Sequence, residues 1–193
     1  MSNLIYYSLV KRPISMMPNK DFKNIKRVQL KNNAYYIDDK KDIKFEFSKL
    51  LKQYEKFLKK EYSYSNENIP DKLIDSLNDH LSNGHDEFYC IYFDGNIAGF
   101  ISFQSNIGCL KMLYIDDAYR RKGLATLALN KFETESYKRN KKEIRTFVNK
   151  KNVEGINLYK KYGFVIETDS SATSIKKNKI EISEESFKLT ILF

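Results

Sequence analysis

Apolar residues recur every three or four positions in two early stretches of the chain, as they do on one face of an amphipathic helix. The first stripe consists of Phe47, Leu50, Leu51, Tyr54, Phe57 and Leu58. The second consists of Leu73, Ile74, Leu77 and Leu81; it follows Pro70, which suits a first helical position, and ends at Gly84. This pattern predicts two helices joined by a polar connector at residues 61–69.

The pattern changes to a β type further along the chain. Phe88–Phe93 is rich in aromatic and β-branched residues, and Ile97–Phe103 reads as its return strand. Between them, Asp94-Gly95-Asn96 is a strong signal for a hairpin turn. A third strand, Cys109–Ile115, is expected after a turn at residues 105–108.

The remaining elements alternate between helix and strand. We expect helices at Gly123–Arg139 and Val153–Tyr162, and strands at residues 4–10, within 26–37, and at Glu143–Val148, Phe164–Glu167 and Phe187–Phe193. The order of the elements predicts a mixed α/β domain with helices on both faces of a sheet.

Composition supports a globular protein. The chain has 193 residues, of which 41% are hydrophobic, enough for one ordinary domain with a core. No apolar run is long enough to span a membrane, and the start lacks a secretory cleavage site, so we expect a cytoplasmic protein. Cys90 and Cys109 form no disulfide framework, and no Cys/His cluster has zinc spacing, so no metal is expected.

The net charge of +9 is a weak argument for a nucleic-acid partner. Lysine is spread over the whole chain, and the densest basic tract, KRNKKEIR at residues 138–145, contains no aromatic residue that could stack on a base. That tract also falls between a predicted helix and a predicted strand, where a solvated turn would be polar in any case. The sequence therefore does not favour nucleic acid.

Three cationic residues and a glycine lie between the predicted third strand and the helix that follows it. Arg120, Arg121 and Lys122 precede Gly123, and an apolar helical segment follows. The first N–H groups of a helix have no intrahelical partner and carry partial positive charge. Gly123 and the small Ala125 let a ligand approach the backbone, so the segment predicts a pyrophosphate site.

A second motif, NVEGINLYKKYGF, occupies residues 152–164. In this order and at this separation, the two segments resemble the cofactor-binding motifs of the GCN5-related N-acetyltransferase (GNAT) superfamily. The first matches the family's Arg/Gln-x-x-Gly-x-Gly/Ala pattern through Arg120, Gly123 and Ala125. The second matches its Asn-x-x-Ala-x-x-Leu-Tyr-x-x-x-Gly-Phe pattern, except that Gly155 stands where alanine is usual.

The resemblance covers about residues 87–167. It implies a central, mostly antiparallel twisted sheet that is splayed between two central strands, with helices on both faces. The chain 1–193 would then be a single GNAT-like domain. Residues 1–85 would form a divergent N-terminal part with two acceptor-side helices, 86–168 the acetyl-CoA-binding core, and 169–193 the closing strands.

The resemblance also implies where acetyl-CoA would lie. Its pyrophosphate would meet the backbone N–H groups of Arg121, Lys122, Gly123, Leu124, Ala125 and Thr126. Arg120 has two interpretations, a cofactor contact or a brace that pairs with Asp116 or Asp117. The strand edge near Leu113 and Ile115 would pair with the amides of the pantetheine arm, while the side chains of these two residues are most simply core.

Two residues of the second motif carry implied roles, each with a structural alternative. Asn152 resembles the family asparagine that contacts the pantetheine arm, but it could also cap the helix that follows; Asn149 is a weaker candidate for the same contact. Tyr159 occupies the position of the family tyrosine that protonates the departing thiolate, and its alternative is a packed aromatic residue. We expect Tyr162 to have a packing role.

The sequence leaves the general base and the acceptor open. The strand before the loop contains no carboxylate, and the candidates elsewhere are His80, His85, Asp86, Glu87 and Asp116. Tyr62, Tyr64 and Glu67 of the connector could grip an amine.

The interpretation we favour is an N-acetyltransferase that transfers acetyl from acetyl-CoA to the amine of a small molecule or peptide by direct attack in a ternary complex. The alternatives are a tRNA-acetylating toxin-like enzyme and a non-catalytic acyl-CoA-binding module. Analogy with the family makes a homodimer plausible.

Overall fold

The computed structural model describes residues 6–11, 14, 21–31, 34–37, 41–42, 44–62, 81–82 and 84–166. The predicted strand Phe187–Phe193 lies outside the described residues. So does the predicted second helix, except for Leu81 and Ser82 at its end. His80, Tyr64 and Glu67 fall in the same undescribed stretch.

Strands and helices follow one another much as the apolar pattern predicts. The strands are β1 (Tyr6–Lys11), β2 (Ile25–Lys31), β3 (Ala34–Ile37), β4 (Lys41–Asp42), β5 (Glu87–Phe93), β6 (Asn96–Gln104), β7 (Cys109–Ile115), β8 (Ile144–Asn149) and β9 (Val165–Ile166). Within the described residues, the helices whose two ends are given are α1 (Lys44–Tyr62), α2 (Leu124–Lys138) and α3 (Val153–Tyr162), and a 3-10 turn lies at Asp117–Tyr119. None of these helices is long and apolar enough, over the residues described, to cross a membrane.

The nine strands of the described part of the chain form one sheet in the order β4-β3-β2-β5-β6-β7-β8-β1-β9. Every neighbouring pair is antiparallel except β7 and β8, which run parallel. The predicted hairpin is β5–β6, and its turn residues Asp94 (φ 47°) and Gly95 (φ 76°) are both left-handed. Such a two-residue turn matches the twist of the paired strands, which is why the Asp-Gly signal is reliable.

The sheet is covered on both faces, and alternation along its strands builds two separate cores. Phe88, Cys90 and Phe100 face α1, whose buried stripe is Leu50, Tyr54, Phe57 and Leu58. The opposite set, which includes Ile91 and Ile101, faces α2 and α3. The predicted α/β fold with helices on both faces is therefore confirmed.

Candidate functional site

A wedge opens in the middle of the sheet between β7 and β8. These two strands pair only at Cys109↔Arg145 and Leu110↔Thr146. Both strands are described in full, and no further pair follows, although β7 continues to Ile115 and β8 to Asn149. The expected splay is therefore present, and the wedge is closed at the start of the two strands and open towards their ends.

A bulge in β7 decides which backbone groups face this wedge. Met112 pairs with Ser102 and Leu110 pairs with Phe103, so Lys111 is an extra residue on β7. Beyond it, the N–H of Asp116 donates to Ala98 of β6 at 2.9 Å. Because the direction of the backbone groups alternates along a strand, the polar backbone groups of Leu113 and Ile115 point to the wedge.

The loop at the mouth of the wedge carries two left-handed residues, Arg121 (φ 62°) and Gly123 (φ 77°). No described atom lies within 4 Å of the place where a Cβ on Gly123 would sit. The N–H of Leu127 donates to the Gly123 carbonyl at 2.9 Å, as the first helical bond of α2. The N–H groups of residues 124–126 therefore have no carbonyl within α2 to bind. The first turn of α2, all of it described, contains no acidic residue.

The side chain of Arg120 contacts a carbonyl and two carboxylates around the loop. Its Nε donates to the Ile115 carbonyl at 3.3 Å, and its guanidinium lies 2.5 Å from Asp117 Oδ1 and 3.0 Å from Glu154 Oε2. Lys60 of α1 reaches the same Glu154 oxygen at 3.1 Å. The hydrogen bond from Lys60 is the main reason why the pKa of Glu154 is lowered. Glu154 thus links α1, α3 and the loop.

Asp116 attaches α1 to the end of β7. Its carboxylate lies 2.5 Å from Lys56 Nζ and also accepts a hydrogen bond from the Ala118 N–H at 3.2 Å. Burial acts to raise the pKa of Asp116, but the hydrogen bonds from Lys56 and Ala118 outweigh it and hold the pKa below its ordinary value. As an ion-paired carboxylate, Asp116 is a poor acceptor of a proton at neutral pH.

Asn152 caps α3 in the structure. Its Oδ1 accepts a hydrogen bond from the Gly155 N–H at 2.9 Å, which is the contact expected of an N-cap residue. A Cβ on Gly155 would lie only 3.0–3.1 Å from the atoms of the Asn152 amide. An alanine at position 155 would therefore press on the capping amide, which would have to shift by a few tenths of an ångström.

The two tyrosines of α3 differ in their surroundings. Tyr159 is buried among core residues and packs edge-on against Phe164, with 5.6 Å between the ring centroids. The hydroxyl of Tyr162 lies 2.7 Å from Glu133 Oε2, and the same oxygen is 2.8 Å from Lys11 Nζ. Burial first, and then the Glu133 carboxylate, raise the pKa of Tyr162 well above its ordinary value. The sequence prediction missed this polar network and expected only packing.

The candidate bases are not grouped at the mouth of the wedge. Asp86 accepts a hydrogen bond from Gln104 at 2.7 Å, and the buried Glu87 accepts hydrogen bonds from the hydroxyl and the N–H of Ser105. Glu87 pairs with Phe103, which pairs with Leu110, so these acids lie at the closed end of the wedge. His85 is exposed. The general base therefore stays open.

Comparison with known proteins places this arrangement in a family. The Acetyltransferase (GNAT) family profile matches residues 48–164, which are 117 of the 193 residues. An N-acetyltransferase from Thermoplasma acidophilum, solved with coenzyme A, is 24% identical with a TM-score of 0.52, over 66% of this chain and 89% of that one. A predicted acetyltransferase from Clostridium acetobutylicum, solved with acetyl-CoA, is also 24% identical with a TM-score of 0.51, over 65% of this chain and 87% of that one.

A candidate GNAT acetyltransferase from Novosphingobium aromaticivorans is 14% identical with a TM-score of 0.47. That match covers 84% of this chain and 61% of the other, so this chain spans less than two thirds of the length of that relative. At these identities the solved structures support the fold alone, whereas the match to the family profile supports membership of the family. With more than half of its residues matched by that profile, this chain belongs to the acetyltransferase (GNAT) family.

Proposed function

We propose that this protein is an N-acetyltransferase that transfers the acetyl group of acetyl-CoA to an amine of a small molecule or a peptide. The observation that carries the proposal is the wedge between β7 and β8, which leads directly to the left-handed loop and the uncapped start of α2. The two relatives solved with coenzyme A and with acetyl-CoA support the same cofactor.

The described residues fit acetyl-CoA in the wedge. The pyrophosphate would lie on the N–H groups of residues 121–126, where the space beside Gly123 is open and the flanking side chains are cationic. The pantetheine arm would run along β7 and pair with the backbone groups of Leu113 and Ile115, as an added strand does. Asn152 flanks the wedge at the start of α3 and would contribute a further contact.

The residues of this chain would position the two substrates and donate the proton that the leaving thiolate needs. Acetyl-CoA, when bound, supplies an acetyl group activated as a thioester. The amine nitrogen would bond to the acetyl carbon as the carbon–sulfur bond breaks, and Tyr159 would protonate the departing sulfur. A phenol with an ordinary pKa near about 10 is protonated at neutral pH and can donate in this way. The amine would pass its proton to water, and Tyr159 would recover a proton from water after the thiol leaves.

Release of the CoA thiol from acetyl-CoA tests the proposal. The acceptor panel would contain polyamines, aminoglycosides, amino acids, peptides with free amines, and aminoacyl-tRNA. We expect release that depends on one class of amine and falls about 100-fold or more in Tyr159→Phe. The matched control is Tyr162→Phe, which removes a hydroxyl from the same helix and should leave the rate nearly unchanged.

Each result has a distinct meaning. If the protein binds acetyl-CoA but no acceptor causes release of the CoA thiol, the proposed enzymatic activity is contradicted and a cofactor-binding module is favoured. Release that is unaffected by Tyr159→Phe would retain the enzyme and remove Tyr159 as its acid. Release only with aminoacyl-tRNA, falling steeply with salt, would replace the small-molecule or peptide acceptor.

A further inference from the structure

The open end of the wedge is crossed by a cluster of charged side chains. Beyond Leu110 and Thr146 no backbone pairing joins β7 to β8, and both strands are described in full. Glu154, in the first turn of α3, has one carboxylate oxygen that lies 3.0 Å from Arg120 Nη1 of the loop and 3.1 Å from Lys60 Nζ of α1. These three side chains form a clasp between elements that the sheet leaves apart.

Arg120 attaches the clasp to the edge of β7. Its Nε donates to the Ile115 carbonyl at 3.3 Å. That carbonyl faces the wedge, because the next residue, Asp116, donates its N–H to Ala98 of β6 and backbone groups alternate in direction along a strand. The contacts from Ile115 through Arg120 to Glu154 therefore run from the open edge of β7 to the start of α3, the helix that follows β8.

Lys60 attaches the clasp to α1. The buried residues of α1 and those of α3 belong to the cores on opposite faces of the sheet. Elements on opposite faces can touch only where the sheet ends or is open, so the contact between Lys60 and Glu154 passes the open end of the wedge. Because the Lys56–Asp116 ion pair attaches α1 to the end of β7, this contact also ties α3 to the β7 side.

The clasp lies where CoA is proposed to enter. The pantetheine arm would run along the edge of β7 that carries Ile115, and it would leave through the same opening. A tie between this edge and α3 limits how far the two sides of the wedge can separate. Exposed ion pairs are individually weak, and the Glu154 side chain is 68% exposed. The clasp should therefore change the rate of release a few-fold.

We propose that Glu154 is a positioning residue, which holds the open end of the wedge together through Arg120 and Lys60 and so slows the release of bound CoA. The assignment rests on the proposed function, since it presumes CoA in the wedge. The charge of Glu154 alone predicts the opposite effect. Removing a negative charge beside the proposed pyrophosphate site would strengthen the attraction for CoA and slow its release, whereas opening the clasp would speed it.

Surface plasmon resonance on the immobilised protein tests the assignment with two ligands, CoA and adenosine 3′,5′-bisphosphate, which lacks the pantetheine arm. We expect Glu154→Gln to release CoA about threefold faster than the wild type and to release the bisphosphate no faster. Lys60→Met should also speed the release of CoA, and the double variant should be no faster than Glu154→Gln alone. The matched control is Glu55→Gln, which removes a carboxylate that pairs with Lys59 within α1 and should leave both rates unchanged.

The outcomes separate the two proposals. If the wild-type protein does not bind CoA, both the proposed function and the role of Glu154 are wrong. If the wild type binds CoA and Glu154→Gln releases it at the same rate or more slowly, only the role of Glu154 is wrong. Equal acceleration of both ligands would also overturn it, because a general disturbance of the loop would then account for the faster release.

Discussion

Gly123→Ala separates the backbone requirement of the loop from its proposed role in binding. Gly123 has φ 77°, in the left-handed region, and a Cβ there would meet no described atom within 4 Å. The change should therefore lower the free energy of unfolding by about 1 kcal/mol, the cost of holding a non-glycine residue in the left-handed region. For a chain of this size the melting temperature should fall by about 2–4 °C.

The loss of CoA affinity should be larger than this backbone strain alone would cause. The added methyl group would occupy the open space in which the pyrophosphate is proposed to approach the backbone. Hydrogen bonds from N–H groups to a charged ligand are worth about 1.5–3 kcal/mol each. Displacing the ligand from one of them should weaken CoA at least tenfold, since about 1.4 kcal/mol corresponds to a factor of ten.

Gly95→Ala is the matched control. Gly95 has φ 76° and likewise no described atom within 4 Å of an added Cβ, but it lies in the β5–β6 turn. The two variants should lose similar stability in urea denaturation, while calorimetric titration should show weaker CoA binding only for Gly123→Ala. Equal CoA affinity in both variants would refute the assignment of this loop to the pyrophosphate.

Three further predictions concern contacts around the wedge. Gly155→Ala should raise the free energy of unfolding by less than about 1 kcal/mol, the usual helix-propensity difference, because the Asn152 amide must shift to make room. In an Asn152→Ala background the same change should raise it by more. Equal gains in the two backgrounds, measured by urea denaturation, would contradict the contact. The Lys56–Asp116 pair should stabilise the fold above about pH 4, the ordinary range of an aspartate in the unfolded chain, and this contribution should be lost as pH falls towards the lowered pKa of the folded state. Stability should therefore fall less steeply below pH about 4 in Lys56→Met than in the wild type, and parallel urea-denaturation curves against pH would count against the pair. Tyr162→Phe should cost about 1–2 kcal/mol of unfolding free energy without altering CoA affinity; a fall in affinity would bring Tyr162 into the site.

Local patterns predicted the elements that flank the wedge. Cys109–Ile115 and Val153–Tyr162 have the predicted bounds, because an alternating apolar run and a capped amphipathic helix are both local signals. The predicted helix at 123–139 is shorter by one residue at each end, since Gly123 and Arg139 are its caps. The predicted strand at 143–148 is shifted by one residue, to Ile144–Asn149, because its register follows the partner strand β1.

What the sequence could not predict depends on residues that are far apart in the chain. The bulge at Lys111 follows from the register between β6 and β7. The pairing of Arg120 with Glu154 spans 34 positions, and that of Lys11 with Glu133 spans 122. The left-handed φ of Arg121 carries no residue-type signal, because arginine does not favour it. The burial of the Asn149 amide, whose nitrogen has no hydrogen-bond partner among the described residues, also follows from packing at the end of β8.

The central claim is that acetyl-CoA lies in the wedge with its pyrophosphate on the start of α2. Residue-resolved amide hydrogen exchange, measured with and without saturating CoA, tests it most directly. The account predicts slower exchange at Leu113, at Ile115 and at residues 124–126, with little change at the turn residue Gly95. CoA binding that leaves those five amides unprotected, or that protects a different face of the sheet, would contradict it.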